Sequence, residues 1–326
     1  MDLKRKRILF FGCRLLLWAM LFRLFALEIP GHMGRIQRQN IVQTESETGQ
    51  NVRFSVSLEK LWDHFRESAV PGQAETERPR FDREAGGKLR ITGKTADVDA
   101  EELLSMPLEW DLVSEEPRVL ILHTHTTESY TPGEEPYVST AEYRTLDESR
   151  NMLSVGDLVA RLLARQGICV IHDRQIHDYP SYSTAYGHAR RSVEAILEEN
   201  PGIRLVLDLH RDASGTDGKQ LRTMAEIGGQ TAAQLMLVVC TGTAALPCPG
   251  WKENLALAAK LQLQLEAQSP GITRPICLRS ARYNQDLLPG MLLVEVGAAG
   301  NTRQEALLAA RQLAAAVAAL AKGTGK

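Results

Sequence analysis

Three short apolar runs along the chain each deliver a histidine or a glutamate. The runs lie at residues 119–122, 205–209 and 291–296; His210 follows the second, and Glu295 lies inside the third. Short apolar runs of this kind predict buried strands. Because α/β folds place their sites at the carboxyl ends of strands, the polar residues at these positions predict one shared site.

Helical periodicity between the runs predicts an α/β fold. Apolar residues recur about every 3.6 positions over residues 155–163 and 186–197, and Thr302 with Glu305 forms a capping-box signature. Further segments complete the pattern, with strands predicted at 168–171 and 234–239 and a helix at 251–268. Strands that alternate with helices predict a mainly parallel sheet covered by helices on both faces.

The amino terminus carries a candidate membrane anchor. Four basic residues at 4–7 precede the apolar stretch 8–27, which has about the 20 residues that a bilayer core requires. Basic residues in front of the span predict a cytoplasmic amino terminus, with the rest of the chain outside the membrane. A cleaved signal peptide is the alternative. Its apolar region would be shorter, so we predict an uncleaved, single-pass anchor with an extracytoplasmic domain.

Composition divides the chain into three parts. Residues 1–28 form the basic tail and anchor, residues 29–115 a linker or stalk with a small unit that could bind a partner, and residues 116–322 the catalytic domain. Polar and Pro- and Gly-rich stretches indicate the linker. The net charge of -2 gives no indication of nucleic-acid binding.

The five cysteines show no C-x-x-C spacing, which argues against a thiolate zinc site. Cys240 and Cys248 could pair across a loop, but we favour small buried thiols.

The residue types at the strand ends match a catalytic zinc site. Such sites commonly use three protein ligands and a water molecule, with imidazole and carboxylate as ligands. The candidates are His123, His125, Glu128 and His210. His125 and Glu128 could converge on one turn, and His123 and His125 are expected on one side of an extended chain, so that one binds the metal and the other supports it.

Glu295 is the candidate general base. A glutamate inside an apolar strand is costly to bury, and burial raises its pKa toward a useful range. Arg211 could hold substrate or orient His210, and a surface ion pair with Asp212 is the plain alternative. We expect His172, His177 and His188 at the surface or in loops.

The motifs together resemble the stage II sporulation protein P family. The resemblance rests on H-T-H-T-T-E-S-Y at 123–130, N-M-L-S-V-G-D-L at 151–158, G-I-C-V-I-H-D at 167–173, D-L-H-R-D-A at 208–213 and L-V-E-V-G at 293–297. That family is related to zinc-dependent N-acetylmuramoyl-L-alanine amidases. The resemblance implies an amidase-like fold, a Zn²⁺ cofactor, and a membrane-anchored peptidoglycan hydrolase of engulfment that can also cleave peptide cross-links. The implied partners are stage II sporulation proteins D and M.

The resemblance also implies residue roles. It gives His210 as a zinc ligand and Glu295 as the catalytic glutamate, and it favours His125 over His123. The carboxylate ligand stays open between Glu128, which we prefer, and two later residues, Glu142 and Glu148. Two other functions remain possible: a non-catalytic peptidoglycan-binding scaffold on the same fold, and a metal-dependent phosphoester hydrolase.

Overall fold

The computed structural model describes residues 89–93, 99–108, 110–132, 139–140, 142–213 and 220–323. All of them belong to the second of two compact units, Val70–Lys326. The predicted anchor lies outside the described residues. In the described ranges, no helix combines the length and the apolar character that a membrane crossing requires.

A seven-stranded sheet forms the centre of the fold. In chain order the strands are β1 (Ile91–Thr92), β2 (Ser114–Leu122), β3 (Ile168–His172), β4 (Leu205–Asp212), β7 (Leu235–Cys240), β8 (Ile276–Arg279) and β9 (Met291–Ala298), and β5 (Ala225–Ile227) with β6 (Gln230–Ala232) forms a separate hairpin. The helices are α1 (Ala100–Ser105), α2 (Met152–Ala164), α3 (Ala185–Glu199), α4 (Trp251–Gln268) and α5 (Arg303–Gly323).

The strand order across the sheet is β1-β8-β7-β9-β4-β2-β3. Strands β3, β2, β4 and β9 run parallel to one another, β7 pairs antiparallel with β9, and β8 and β1 follow the direction of β7. The prediction of a mainly parallel sheet is confirmed. The carboxyl ends of β2, β4 and β9 therefore lie side by side at the same end of the strands.

Helices cover both faces of this sheet, as predicted. Alternate side chains such as Val119 and Leu207 pack in one cluster with α2, α4 and α5, and we call this side the packed face. Their sequence neighbours Leu120 and Val206 pack against Ala189 and Val193 of α3 on the other side, which we call the α3 face.

Local signals in the sequence match the observed elements closely. The capping box at the start of α5 is confirmed, since the Glu305 backbone N–H donates to Thr302 Oγ1 and the Thr302 N–H donates to Glu305 Oε2. The strand predicted at 205–209 is longer than expected, because His210 and the two residues after it continue it as β4. Cys240 and Cys248 are buried free thiols, as favoured.

Part of the segment predicted as a stalk packs on the sheet. Strand β1 pairs with β8 at one edge, and Leu103 of α1 and Leu112 are buried in the main core. Strand β8 and the β5–β6 hairpin have no counterpart in the sequence prediction.

Candidate active site

The site begins with two adjacent strands of the sheet. His210 of β4 and Glu295 of β9 are register partners across a parallel pair. Side chains alternate along a strand, so His210 points to the same side as Val206, which is the α3 face. The sequence thereby places an imidazole next to a carboxylate on the face against which α3 packs.

The turn after β2 delivers the remaining members of the cluster. The Thr124 N–H and hydroxyl both donate to Asp208, at 2.8 and 2.6 Å, and the Glu128 N–H donates to the His125 carbonyl at 3.1 Å. The turn places Glu128 Oε2 3.4 Å from His210 Nδ1 and the His125 ring centroid 5.4 Å from that of His210. His125, Glu128, His210 and Glu295 thus come together; below we call them the His-Glu cluster.

His123 does not join this cluster. Its Nδ1 lies 3.0 Å from the Leu209 carbonyl oxygen, and its Nε2 lies 2.9 Å from Nε2 of His172. We call His123 and His172 the histidine pair. His172 Nδ1 in turn lies 3.0 Å from Asp157. The expectation of a surface position for His172 is wrong, since its side chain is only 9% exposed.

The space beside the histidine pair exists because α2 carries a glycine there. A Cβ added at Gly156 would overlap with Nε2 of both histidines. His177 lies in the loop after β3, as expected, but it is buried there, with Nε2 3.1 Å from Asp173.

Glu128 is the carboxylate that lies beside His210. Glu142 and Glu148 are exposed, and Glu148 pairs with Arg174 at 2.6 Å. The Glu142 backbone carbonyl, rather than its carboxylate, takes part in the site by accepting from Arg211 at 2.6 Å.

Arg211 is buried and holds the carboxylate in place. Its backbone N–H donates to Glu128 Oε2 at 3.2 Å, its Nη1 lies 3.7 Å from Glu128 Oε1, and its Nε donates to the Ser129 carbonyl. Asp212, which the sequence suggested as an ion-pair partner of Arg211, pairs with Arg274, whose Nη1 lies 2.6 Å from Asp212 Oδ2. Arg211 therefore acts in this structure as a support for Glu128.

Burial and neighbouring charges shift the pKa values of the cluster residues in different directions. Burial alone would raise the pKa of Glu128, but Arg211 and His210 outweigh it and lower the pKa to about 2. Burial opposes the charged form of His210, yet Asp208 and Glu128 raise its pKa well above the ordinary value. Burial lowers the pKa of His125 to about 4.

Glu295 behaves differently from Glu128. Burial, aided by the nearby Glu128 charge and opposed by His210, raises the pKa of Glu295 to about 8. One of its oxygens, Oε2, is buried and has no hydrogen-bond partner among the described residues. A carboxyl group of this kind can hold or release a proton near neutral pH.

The cluster offers the donor types that zinc prefers. Among the residues that the structure describes, no three histidine, cysteine, aspartate or glutamate side chains are already arranged as a metal site. However, His125 Nδ1 and His210 Nε2 are buried without a hydrogen-bond partner, although the latter lies 3.0 Å from Asp208 in an unsuitable direction. Unpartnered imidazole nitrogens beside a carboxylate fit a divalent metal chemically.

Sequence analysis missed several residues around the cluster. Tyr182 stacks on His125 with ring centroids 4.1 Å apart, and Arg144 lies over the same tyrosine ring. Asp178 accepts from the Thr127 N–H and hydroxyl, and it lies 4.0 Å from His125 Nδ1. No sequence periodicity marks these loop residues.

Comparisons with known proteins identify a family. The family model of stage II sporulation protein P matches residues 36–318. Stage II sporulation protein P of Bacillus subtilis (strain 168) is 29% identical over 210 residues, which are 60% of this chain and 49% of that protein. The chain thus spans about half the length of the curated relative it matches.

Solved structures show weaker likeness. N-acetylmuramoyl-L-alanine amidase AmiC2 of Nostoc punctiforme is 13% identical with a TM-score of 0.36, over 63% of this chain and 97% of that chain. An N-acetylmuramoyl-L-alanine amidase of Clostridium difficile 630 is 14% identical with a TM-score of 0.35, over 65% of this chain and 100% of that chain. A metallo-carboxypeptidase of Burkholderia cenocepacia is 11% identical with a TM-score of 0.35, over 64% and 58% of the two chains.

Proposed function

The chain belongs to the stage II sporulation protein P family, and from that premise and the His-Glu cluster we propose that it is a zinc-dependent peptidoglycan hydrolase. The reaction is hydrolysis of the amide between N-acetylmuramic acid and L-alanine. The observation that supports it most directly is that the pKa values of two neighbouring carboxyl groups are shifted in opposite directions. Glu128 stays ionised and suits a metal ligand, whereas Glu295 has a raised pKa and suits a proton carrier.

His125, Glu128 and His210 are the residues that would hold the metal. The chemistry supplied by bound Zn²⁺ is activation of a water molecule near neutral pH and polarisation of a carbonyl. Arg211 fixes Glu128 through its backbone N–H and guanidinium, and Asp208 fixes the turn that carries His125 through Thr124. Such supporting hydrogen bonds orient ligands and are commonly worth 10–100-fold in metal affinity.

Glu295 carries the proton through the reaction. Its carboxylate takes a proton from the attacking water as the water oxygen bonds to the amide carbon. Its carboxylic acid then gives that proton to the amide nitrogen as the carbon–nitrogen bond breaks. The products are a free carboxyl group on the muramic acid and a free amino group on L-alanine.

The setting of this activity is part of the proposal. The basic tail and the apolar stretch 8–27 support a membrane anchor that leaves the catalytic domain outside the cytoplasm. Membership of the family supports a role in sporulation. The proposal further includes a role in engulfment, with stage II sporulation proteins D and M as partners, as the sequence resemblance implies. Cleavage of peptide cross-links at the same site is a second proposed activity.

The test uses the detergent-solubilised full chain on purified peptidoglycan, with zinc or with a chelator. Three proteins are compared: wild type, Glu295→Gln and the matched control Glu198→Gln, whose glutamate is exposed on α3. Products are identified by mass and by labelling of new amino termini.

We expect wild type and the control to release stem peptides with amino-terminal L-alanine in zinc only. We expect Glu295→Gln to bind zinc but release at least about 100-fold less product, as befits loss of general acid–base catalysis. Binding of peptidoglycan without release by every zinc-loaded protein, also after addition of stage II sporulation protein D, would favour the scaffold. Released phosphate from a phosphoester substrate would favour the phosphoester hydrolase.

A further inference from the structure

One tyrosine ring packs against the His-Glu cluster, and its hydroxyl is not engaged by the protein. Tyr186 is the second residue of α3, and its ring stands nearly perpendicular to that of His125, with centroids 5.4 Å apart. The residue is half-buried, and among the described residues its hydroxyl makes no hydrogen bond. The hydroxyl is therefore available to a molecule bound at the site.

A phenol keeps its proton at neutral pH, because its ordinary pKa is about 10. Burial raises the pKa of Tyr186 further, and the charges of Asp208 and Glu128 act in the same direction. The Tyr186 hydroxyl is therefore a hydrogen-bond donor, carried on a ring that packs against His125.

Contacts with Tyr283 and Asn284 hold Tyr186 in position. Asn284 Nδ2 donates to the Tyr186 carbonyl at 3.0 Å, and the Tyr283 ring packs on the Tyr186 ring at 5.7 Å. Tyr283 and Asn284 both have positive φ, at 50° and 59°. This left-handed backbone turns residues 283–284 so that the Tyr283 ring and the Asn284 side chain both contact Tyr186.

The arginine side chains near the site, which could also donate hydrogen bonds, already have partners in the protein. Arg211 is committed to Glu128 and to backbone carbonyls, and Arg144 lies 3.3 Å from Asp178 and over Tyr182.

We propose that Tyr186 is a further catalytic residue, whose hydroxyl donates a hydrogen bond to the carbonyl oxygen of the scissile amide as negative charge develops there. This inference rests on the proposed function. As the water oxygen bonds to the amide carbon, the carbonyl electron pair moves to that oxygen, and the Tyr186 hydrogen bond stabilises it. The electron pair returns when the carbon–nitrogen bond breaks, and Tyr186 keeps its proton throughout. A positioned donor that acts on developing charge accelerates the step without tightening substrate binding.

The test is Tyr186→Phe in the full chain, which removes the hydroxyl but keeps the ring on His125. Tyr143→Phe is the matched control, because Tyr143 is half-buried and its hydroxyl makes no hydrogen bond in the described part of the chain. Tyr283→Phe tests the neighbouring hydroxyl. Each protein is measured for kcat and KM on a purified N-acetylmuramoyl-peptide, for zinc per chain and for the unfolding temperature.

For Tyr186→Phe we expect kcat to fall about 10²–10³-fold, the range for loss of one such donor. KM, zinc content and unfolding temperature should match those of wild type and of Tyr143→Phe. A kcat within threefold of wild type overturns the inference while the proposed function stands, and so does a fall that appears in Tyr283→Phe alone or that tracks loss of zinc. If zinc-loaded wild type releases no product, the proposed function itself fails and the role of Tyr186 fails with it.

Discussion

Glu295 should make the stability of the metal-free chain depend on pH. Its pKa is raised from 4.5 to about 8, mainly by burial. Because the folded-state pKa is the higher one, the folded chain keeps this proton over a pH range in which the unfolded chain has lost it. The stability that the protonated group contributes is therefore fully present below about pH 4.5 and is lost as the pH rises through about 8.

The magnitude follows from the distance between the two pKa values. At about 1.36 kcal/mol per pH unit, the whole effect is ~5 kcal/mol, and the part that falls between pH 5 and pH 8 is ~3.5 kcal/mol. Solvent reaches part of the Glu295 side chain, and local relaxation lowers such penalties. We therefore expect wild type to lose about 2–3.5 kcal/mol over this interval relative to a variant that cannot ionise there.

The assay is urea unfolding of wild type, Glu295→Gln and Glu198→Gln at pH 5, 6.5 and 8, with chelator present. Chelator is needed because a cation beside Glu295 would favour its ionised form. The difference in unfolding free energy between wild type and Glu295→Gln should change by about 2–3.5 kcal/mol between pH 5 and pH 8. The stability of Glu198→Gln should follow that of wild type at each pH. A constant difference across the three pH values would show that Glu295 is not held protonated, and the assignment of the proton carrier would lose its basis.

Two further changes test how the fold supports the site. Gly156→Ala should destabilise the chain by ~1–3 kcal/mol in urea unfolding, because the new methyl group overlaps with the histidine pair. Gly187→Ala on α3 is the contrasting variant, because its new methyl group meets no atom closer than Arg191 Nη1 at 3.9 Å. It should stabilise the chain by up to ~1 kcal/mol through its higher helix propensity. Thr302→Ala should cost ~0.5–2 kcal/mol by removing the cap of α5, and Thr302→Ser should restore most of it; equal stabilities of the two Thr302 variants would refute the role of the hydroxyl.

The sequence was sufficient to predict β2, β3, β4, β7 and β9, because these strands are continuous apolar runs, but it did not predict the edge strand β1 or its neighbour β8. The rule that short apolar runs form buried strands was enough to place His210 after one strand and Glu295 inside another. The two strands are parallel neighbours, and this brings the two residues into register. Strand β8 escaped prediction because its four residues, Ile276–Arg279, are too few to show a period.

The choice between His123 and His125 could not be made from spacing. Alternation predicts that both point the same way, but that rule requires an extended chain. The chain turns here because Asp208, 84 residues away, accepts both hydrogen bonds of Thr124. Tyr186 was recognised only as one apolar position of a helix, since periodicity cannot distinguish a core tyrosine from one whose hydroxyl faces a site.

The two faces of the sheet explain why chemistry and stability can share the same strands. In β4, Leu205, Leu207 and Leu209 point to the packed face. The alternate residues Val206, Asp208 and His210 point to the α3 face, where α3 is the one described helix that packs on the sheet core. A shift of one residue in β4 would exchange the two sets, burying His210 among leucines and exposing the leucines at the site. The alternation in β4 is therefore under two constraints at once, and the apolar run fixes the position of His210 in the His-Glu cluster as firmly as it fixes the core.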